Sequence, residues 1–96
     1  MVMAKLPIDI GKIGKEDLER ELLRFAIIAE LDAVNLYEEM ANLTDNEDIK
    51  AVLLDVAQEE KTHAGEFQTL LLMFDEEQVQ ELEKGKKEVE ELTGKK

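Results

Sequence analysis

The sequence predicts an all-α fold, in which an antiparallel two-helix hairpin is followed by a shorter C-terminal helix. Apolar residues recur in steps of three and four, and signals for helix boundaries occur at Gly14, at residues 43–46 and at Asp75. No alternating strand pattern competes with these helices. With 96 residues, the chain is one small domain that buries little surface alone. We therefore expect its apolar faces to pair with a second copy.

The first predicted element is a flexible N-terminal segment, residues 1–14. Pro7 and Asp9 interrupt its apolar residues, and no small-residue cleavage site follows, so it does not resemble a secretion signal. The helical domain is expected to span residues 15–93, and residues 94–96 form a tail.

Three helices are predicted within this domain. The first covers residues 15–42 and opens with acidic residues, which suit the positive end of the helix dipole. The second starts after Thr44, which with Glu47 three residues later predicts a capping box, and it continues to Phe74. Asp75, with a glutamine three residues later, starts the third helix in the same way. A glycine and many charges make this helix the weakest of the three.

The charge and the lack of cysteine narrow the function. A formal net charge of −12 repels nucleic acid and anionic lipid but attracts cations. No apolar run is long enough to predict a membrane span. Without cysteine, a bound metal needs oxygen and nitrogen ligands, which favours iron, manganese or zinc. The cytoplasm is the simplest compartment for such a chain.

The second helix places a carboxylate and the only histidine of the chain on an apolar seam. Its seam residues follow steps of four and three: Ile49, Leu53, Val56, Glu60, His63, Phe67 and Leu70. The first helix has an equivalent seam: Leu23, Ala26, Glu30, Ala33, Tyr37 and Met40. Since a buried carboxylate is costly unless it is paired or bound to a cation, Glu30, Glu60 and His63 together predict a metal site facing the core.

Each of these residues also has a simpler explanation. In so acidic a chain, chance often places a glutamate three residues before a histidine. Glu30 could instead pair with Arg24 or Lys61 at the edge of the core. Tyr37 is either an ordinary core tyrosine or a residue that orients a metal ligand. The joint placement on two seams favours the metal site.

The predicted ligands form half of a known arrangement. Diiron carboxylate bundles use one Glu from each of two helices and a Glu-x-x-His from each of two others. This chain supplies one of each, so a two-fold dimer would complete a site for two iron ions, with manganese or zinc as substitutes.

Two segments, Phe25–Tyr37 and Asp55–Phe67, resemble the encapsulated ferritins, most closely the archaeal type associated with an encapsulin shell. The resemblance covers roughly residues 15–93 and includes the thirty-residue separation of Glu30 from Glu60. It implies a ferritin-like four-helix dimer, assembly into a decamer of five dimers, and ferroxidase activity for iron storage inside an encapsulin nanocompartment in the cytoplasm.

The resemblance also implies roles for individual residues. The family's metal ligands correspond to Glu30, Glu60 and His63, and the tyrosine beside its ligands corresponds to Tyr37. Asp32 matches one position of the family's acidic metal-entry site, but Ala29 replaces the other. Three interpretations of the tail remain open: it is a natural end, a weak targeting element, or the point before a shell domain.

Two other functions are alternatives to the ferroxidase. A rubrerythrin-like diiron peroxidase would use the same ligands to reduce peroxide, although no electron-donor motif is present. A non-catalytic helical cargo or adaptor oligomer would use the polar seam residues only to fix the dimer register.

Overall fold

The computed structural model describes residues 14–96, so nearly all of the predicted flexible segment lies outside the described residues. Three helices follow one another: α1 (Lys15–Leu43), α2 (Glu47–Phe74) and α3 (Glu76–Thr93). The described part of the chain contains no strand. The prediction of an all-α fold is therefore confirmed, and the predicted helix boundaries are correct to within about two residues.

The turn between α1 and α2 corrects the predicted capping box. The side chain of Asn46, not Thr44, caps α2, because its Oδ1 accepts the N–H groups of Asp48 and Ile49 at 3.0 and 3.1 Å. The Thr44 hydroxyl oxygen instead accepts the N–H of Asn46 at 3.1 Å. Thr44 thus shapes the turn, while the residue directly before the helix satisfies the free N–H groups of its first turn.

Asp75 separates α2 from α3 and begins the third helix as predicted. Its Oδ1 accepts the N–H of Gln78 at 3.0 Å, and its Oδ2 accepts a hydrogen bond from Arg24 of α1 at 2.8 Å. The Gln78 N–H, and then the Arg24 guanidinium, lower the pKa of Asp75 from its ordinary 3.8. No residue of α3 is buried, and the helix ends at Gly94 in the left-handed conformation.

The core of the hairpin is small and includes one residue of the predicted seams, Ala33. The buried apolar residues of the described chain are Ala33, Val34, Ala41, Ala57 and Leu71. The seam residues Glu30, Glu60 and His63 are of intermediate exposure, so they lie at the edge of this core and not inside it. Two helices can enclose the line along which they touch but not the positions beside it, and these positions remain open to another molecule.

Large apolar side chains are exposed beside the half-buried seam of α2. At 100° per residue, Ile49, Val52, Leu70 and Phe74 lie within about 40° of His63 around the helix axis. All four are at least 44% exposed. We call the side of the hairpin that carries them, together with His63, the open face. Among the described helices, none is both long enough and apolar enough to cross a membrane.

Candidate metal centre

The antiparallel hairpin brings the three predicted ligands together. Glu30 lies in the middle of α1, and Glu60 and His63 lie in the middle of α2, one helical turn apart. Because the two helices run in opposite directions from a short turn, their middles lie at the same height. The side chains of Glu30 and Glu60 are 19% and 20% exposed, while that of His63 is 44% exposed.

The three side chains point their donor atoms at one another. The His63 Nδ1 atom lies 3.4 Å from Oε2 of Glu30 and 3.7 Å from Oε2 of Glu60. One potential ligand atom from each residue lies within 4.8 Å of both others, and no other such group of acidic, histidine or cysteine residues occurs among the side chains that the structure describes. The spacing and the donor chemistry, two carboxylate oxygens and an imidazole nitrogen, fit a divalent cation such as iron, manganese or zinc.

A carboxylate oxygen of Glu30 has no hydrogen bond, although His63 lies close to it. This Oε2 atom is buried without a hydrogen bond, since the approach of His63 does not have hydrogen-bond geometry. The two bases considered as its partners are both bound elsewhere, Arg24 to Asp75 at 2.8 Å and Lys61 to Glu38 at 3.3 Å. An ion pair with either base therefore does not account for Glu30. A bound cation would satisfy the buried oxygen.

The other predicted site residues lie outside this cluster. Tyr37 is half-buried two turns along α1 from Glu30, and its hydroxyl has no hydrogen bond to a described residue. Asp32 is half-buried and comes two residues after Glu30, so it points about 200° away around the helix. Ala29 adds no metal ligand. The roles of Tyr37 in orienting a ligand and of Asp32 in metal entry remain predictions.

Comparison with known proteins identifies the family. A family model described as rubrerythrin matches residues 21–94. The crystal structure of the encapsulated ferritin domain from Pyrococcus furiosus matches with a TM-score of 0.83 and 52% sequence identity, over 94% of this chain and 97% of that chain. This chain is an encapsulated ferritin of the rubrerythrin family. The family resemblance in the sequence is thus confirmed.

Two longer relatives of this encapsulated ferritin are informative. A ferritin-like–encapsulin shell fusion protein from Pyrococcus furiosus is 61% identical over 80 residues, which are 83% of this chain and 23% of that protein. An encapsulin nanocompartment cargo protein from Myxococcus xanthus is 46% identical over 67 residues, 70% of this chain and 51% of that protein. The encapsulated ferritin chain thus spans about a quarter and about half of their lengths.

Sequence reasoning missed how the bases near the site are occupied. Lys61–Glu38 joins α2 to α1, and Arg24–Asp75 joins α1 to the junction between α2 and α3. Residues so far apart in sequence give no periodic signal. Because Asp75 binds Arg24 and Glu38 binds Lys61, neither of these two bases neutralises the ligands of this encapsulated ferritin. A helical wheel would have shown only that Glu38 lies on the same side of α1 as Ile27 and Leu31.

Proposed function

We propose that this chain is one half of a diiron ferroxidase and that two copies complete the site. The observation that carries the proposal is the buried Oε2 of Glu30, which has no hydrogen bond and lies beside Glu60 and His63. Three side chains cannot fill the coordination of two metals. Doubling them about a two-fold axis supplies four carboxylates and two imidazoles, the ligand set of diiron helical bundles.

The open face supports the second copy as the missing partner. Ile49, Val52, Leu70 and Phe74 surround the side of α2 that bears His63, and burying them against an identical hairpin would remove apolar surface from water. In an isologous contact the same patch meets itself, so two half-sites lie close to the axis. Metal binding and dimer formation then use one surface.

Ferrous iron is the substrate in this proposal. Two Fe²⁺ ions each lose one electron, and O₂ takes up both electrons and two protons to give hydrogen peroxide. The carboxylates of Glu30 and Glu60 hold the ions, and their hard oxygen atoms favour the ferric product. The imidazole of His63 supplies the nitrogen ligand through Nδ1, the atom that faces both carboxylates. The net charge of −12 attracts the cationic substrate.

An encapsulin shell is the proposed container for the oxidised iron. A hairpin of two helices encloses no storage volume of its own. The curated relatives are a fusion to an encapsulin shell and a nanocompartment cargo protein, and we extend this association to the present chain. The proposed location is therefore inside an encapsulin nanocompartment in the cytoplasm, with the dimers assembled into a decamer.

Iron oxidation by metal-free protein tests the proposal. Fe²⁺ is added in air to the unmodified chain and to Glu60→Ala, His63→Ala and the control Glu59→Ala, which removes an exposed carboxylate next to the site. Oxidation above the rate without protein is expected for the unmodified chain and for the control, and it should be lost in the two site variants. If all four proteins oxidise iron no faster than the protein-free solution, the proposed ferroxidase activity is refuted.

Two further measurements separate the alternatives. Mass determination with and without Mn²⁺ tests the half-site, since a monomer that binds two metals would contradict it. Because the matching family model is that of rubrerythrin, iron oxidation is also followed with hydrogen peroxide in place of O₂. Each rate is divided by the rate of the same oxidant without protein, and an enhancement much larger with peroxide than with oxygen would favour the diiron peroxidase over the ferroxidase.

A further inference from the structure

The junction between α2 and α3 bends without the residues that usually force a bend. Residues 72–78, Leu-Met-Phe-Asp-Glu-Glu-Gln, contain neither glycine nor proline. At the bend, Asp75 has φ −138° and ψ 83°, outside the helical region. Six of these seven residues are of types compatible with a helix interior, so helix propensity alone would allow α2 to continue into α3.

The side chain of Asp75 makes the contacts that oppose a continuous helix. Its Oδ1 accepts the N–H of Gln78, a bond that a helix-interior aspartate cannot make, because that N–H would bond to the carbonyl four residues earlier. Its Oδ2 accepts from Arg24, which ties the junction to α1. A second arginine of α1, Arg20, donates from Nη1 to the carbonyl oxygen of Phe74 at 3.5 Å. In a continuous helix, this carbonyl oxygen would instead accept a hydrogen bond from the N–H of Gln78.

The burial of Asp75 distinguishes it from an ordinary surface cap. Its side chain is 12% exposed, although every residue from Glu76 to the end of α3, apart from three of intermediate exposure, is exposed. Beyond this junction, α3 therefore has little contact with the hairpin that could set its direction. An 18-residue helix is about 27 Å long, so a change of 20° at the junction moves its far end by roughly 9 Å.

We propose that Asp75 is a latch that holds α3 at an angle to α2, with Arg24 as its anchor on α1. Without the latch, residues 47–93 would favour one continuous helix. The latch sets where α3 presents its exposed apolar residues, Val79, Leu82 and Val89, to a neighbouring molecule. This inference does not depend on the metal site or on the proposed ferroxidase activity.

Distance measurement between spin labels tests the latch. The chain has no cysteine, so Gln58→Cys and Lys87→Cys, both at exposed positions on α2 and α3, provide two specific attachment sites. In a continuous helix, the Cα atoms of these residues would be about 44 Å apart, and any bend shortens this distance. Labelled chains are mixed with an excess of unlabelled chains, so that distances within one chain are measured.

The latch is removed by Asp75→Ala, and Asp45→Ala provides the matched control at an exposed aspartate in the other turn. The main distance in Asp75→Ala should move toward 44 Å, while the control keeps the distance of the unmodified chain. Arg24→Met, which leaves the cap in place, should broaden the distribution of distances between the labels.

Circular dichroism checks that helix content is retained. An unchanged distance in Asp75→Ala overturns the proposal, and an unchanged distribution in Arg24→Met overturns the anchoring role of Arg24.

Discussion

Replacing Glu30 by Gln tests whether the carboxylate binds a cation and lowers the stability of the protein when no metal is present. Oε2 of Glu30 is buried without a hydrogen bond, and a carboxylate oxygen of Glu60 lies within 4.8 Å of a carboxylate oxygen of Glu30. An unsatisfied buried polar atom costs about 1–3 kcal/mol, and two like charges at this separation repel each other. Glutamine keeps the size of the side chain, removes the charge and can donate a hydrogen bond to Glu60.

Glu30→Gln should therefore stabilise the metal-free protein by about 1–2 kcal/mol. For a domain of 60–100 residues, 1 kcal/mol corresponds to roughly 4–8 °C in Tm, so the expected rise in EDTA is at least about 4 °C. With Mn²⁺ the order should reverse. A ligand at 100 times its Kd adds about 2.7 kcal/mol to the unmodified chain, whereas the variant has lost one of its ligands.

Thermal unfolding at one fixed protein concentration, with EDTA and with Mn²⁺, measures both effects. Glu39→Gln is the control, because it removes the same charge from an exposed position on the same helix and should leave both Tm values nearly unchanged. The reasoning fails if Glu30→Gln unfolds at a lower temperature than the unmodified chain in EDTA. It also fails if the variant retains the full stabilisation by Mn²⁺.

Five further substitutions test the helix ends and the glycine within α3. Asn46→Ala should cost about 1 kcal/mol in chemical denaturation, because two N–H groups lose their acceptor; a larger loss in Thr44→Ala would contradict this assignment of the cap. The lowered pKa of Asp75 means that its stabilising contribution is complete above pH 3.8 and lost as the pH falls through the lower folded value. Stability measured from pH 6 to pH 2 should fall less steeply in Asp75→Asn, and parallel curves would refute this. Gly85→Ala should raise stability by about 1 kcal/mol, since an added Cβ meets no atom within 4 Å, whereas Gly94→Ala should lower it at a φ of +69°. Thermal unfolding compares the two variants, and a change in Tm of the same sign in both would contradict the argument.

The helices and the pairing of the site residues were predictable because both depend on sequence periodicity. Steps of three and four placed Glu30, Glu60 and His63 on facing seams, and the short turn brought the middles of the helices together. The choice between Thr44 and Asn46 as the cap was not predictable in this way. Both residue types are good caps, and the backbone angles of one turn decide which side chain reaches the free N–H groups.

The environment of the site was less predictable than its ligands. Periodicity shows that Glu30 lies on an apolar seam, but it does not show that a single hairpin leaves the seam half-open. Nor does it show that Lys61 forms an ion pair with Glu38. A long side chain can reach several acidic residues, and the register between the helices determines which one it contacts. These properties depend on contacts between helices, which one-dimensional spacing does not specify.

The composition of the hairpin core links the metal site to association. Alanines at positions 33, 41 and 57 allow α1 and α2 to approach closely, and this approach brings His63 Nδ1 within 3.4 Å of Glu30. The same small side chains bury little apolar surface, so the hairpin gains little hydrophobic free energy by itself. Larger apolar residues remain on the open face around His63, where none of the described residues covers them. The packing that brings the three proposed ligands together thus leaves apolar surface exposed where the proposed dimer would complete the site, and in that dimer metal binding and association are expected to strengthen each other.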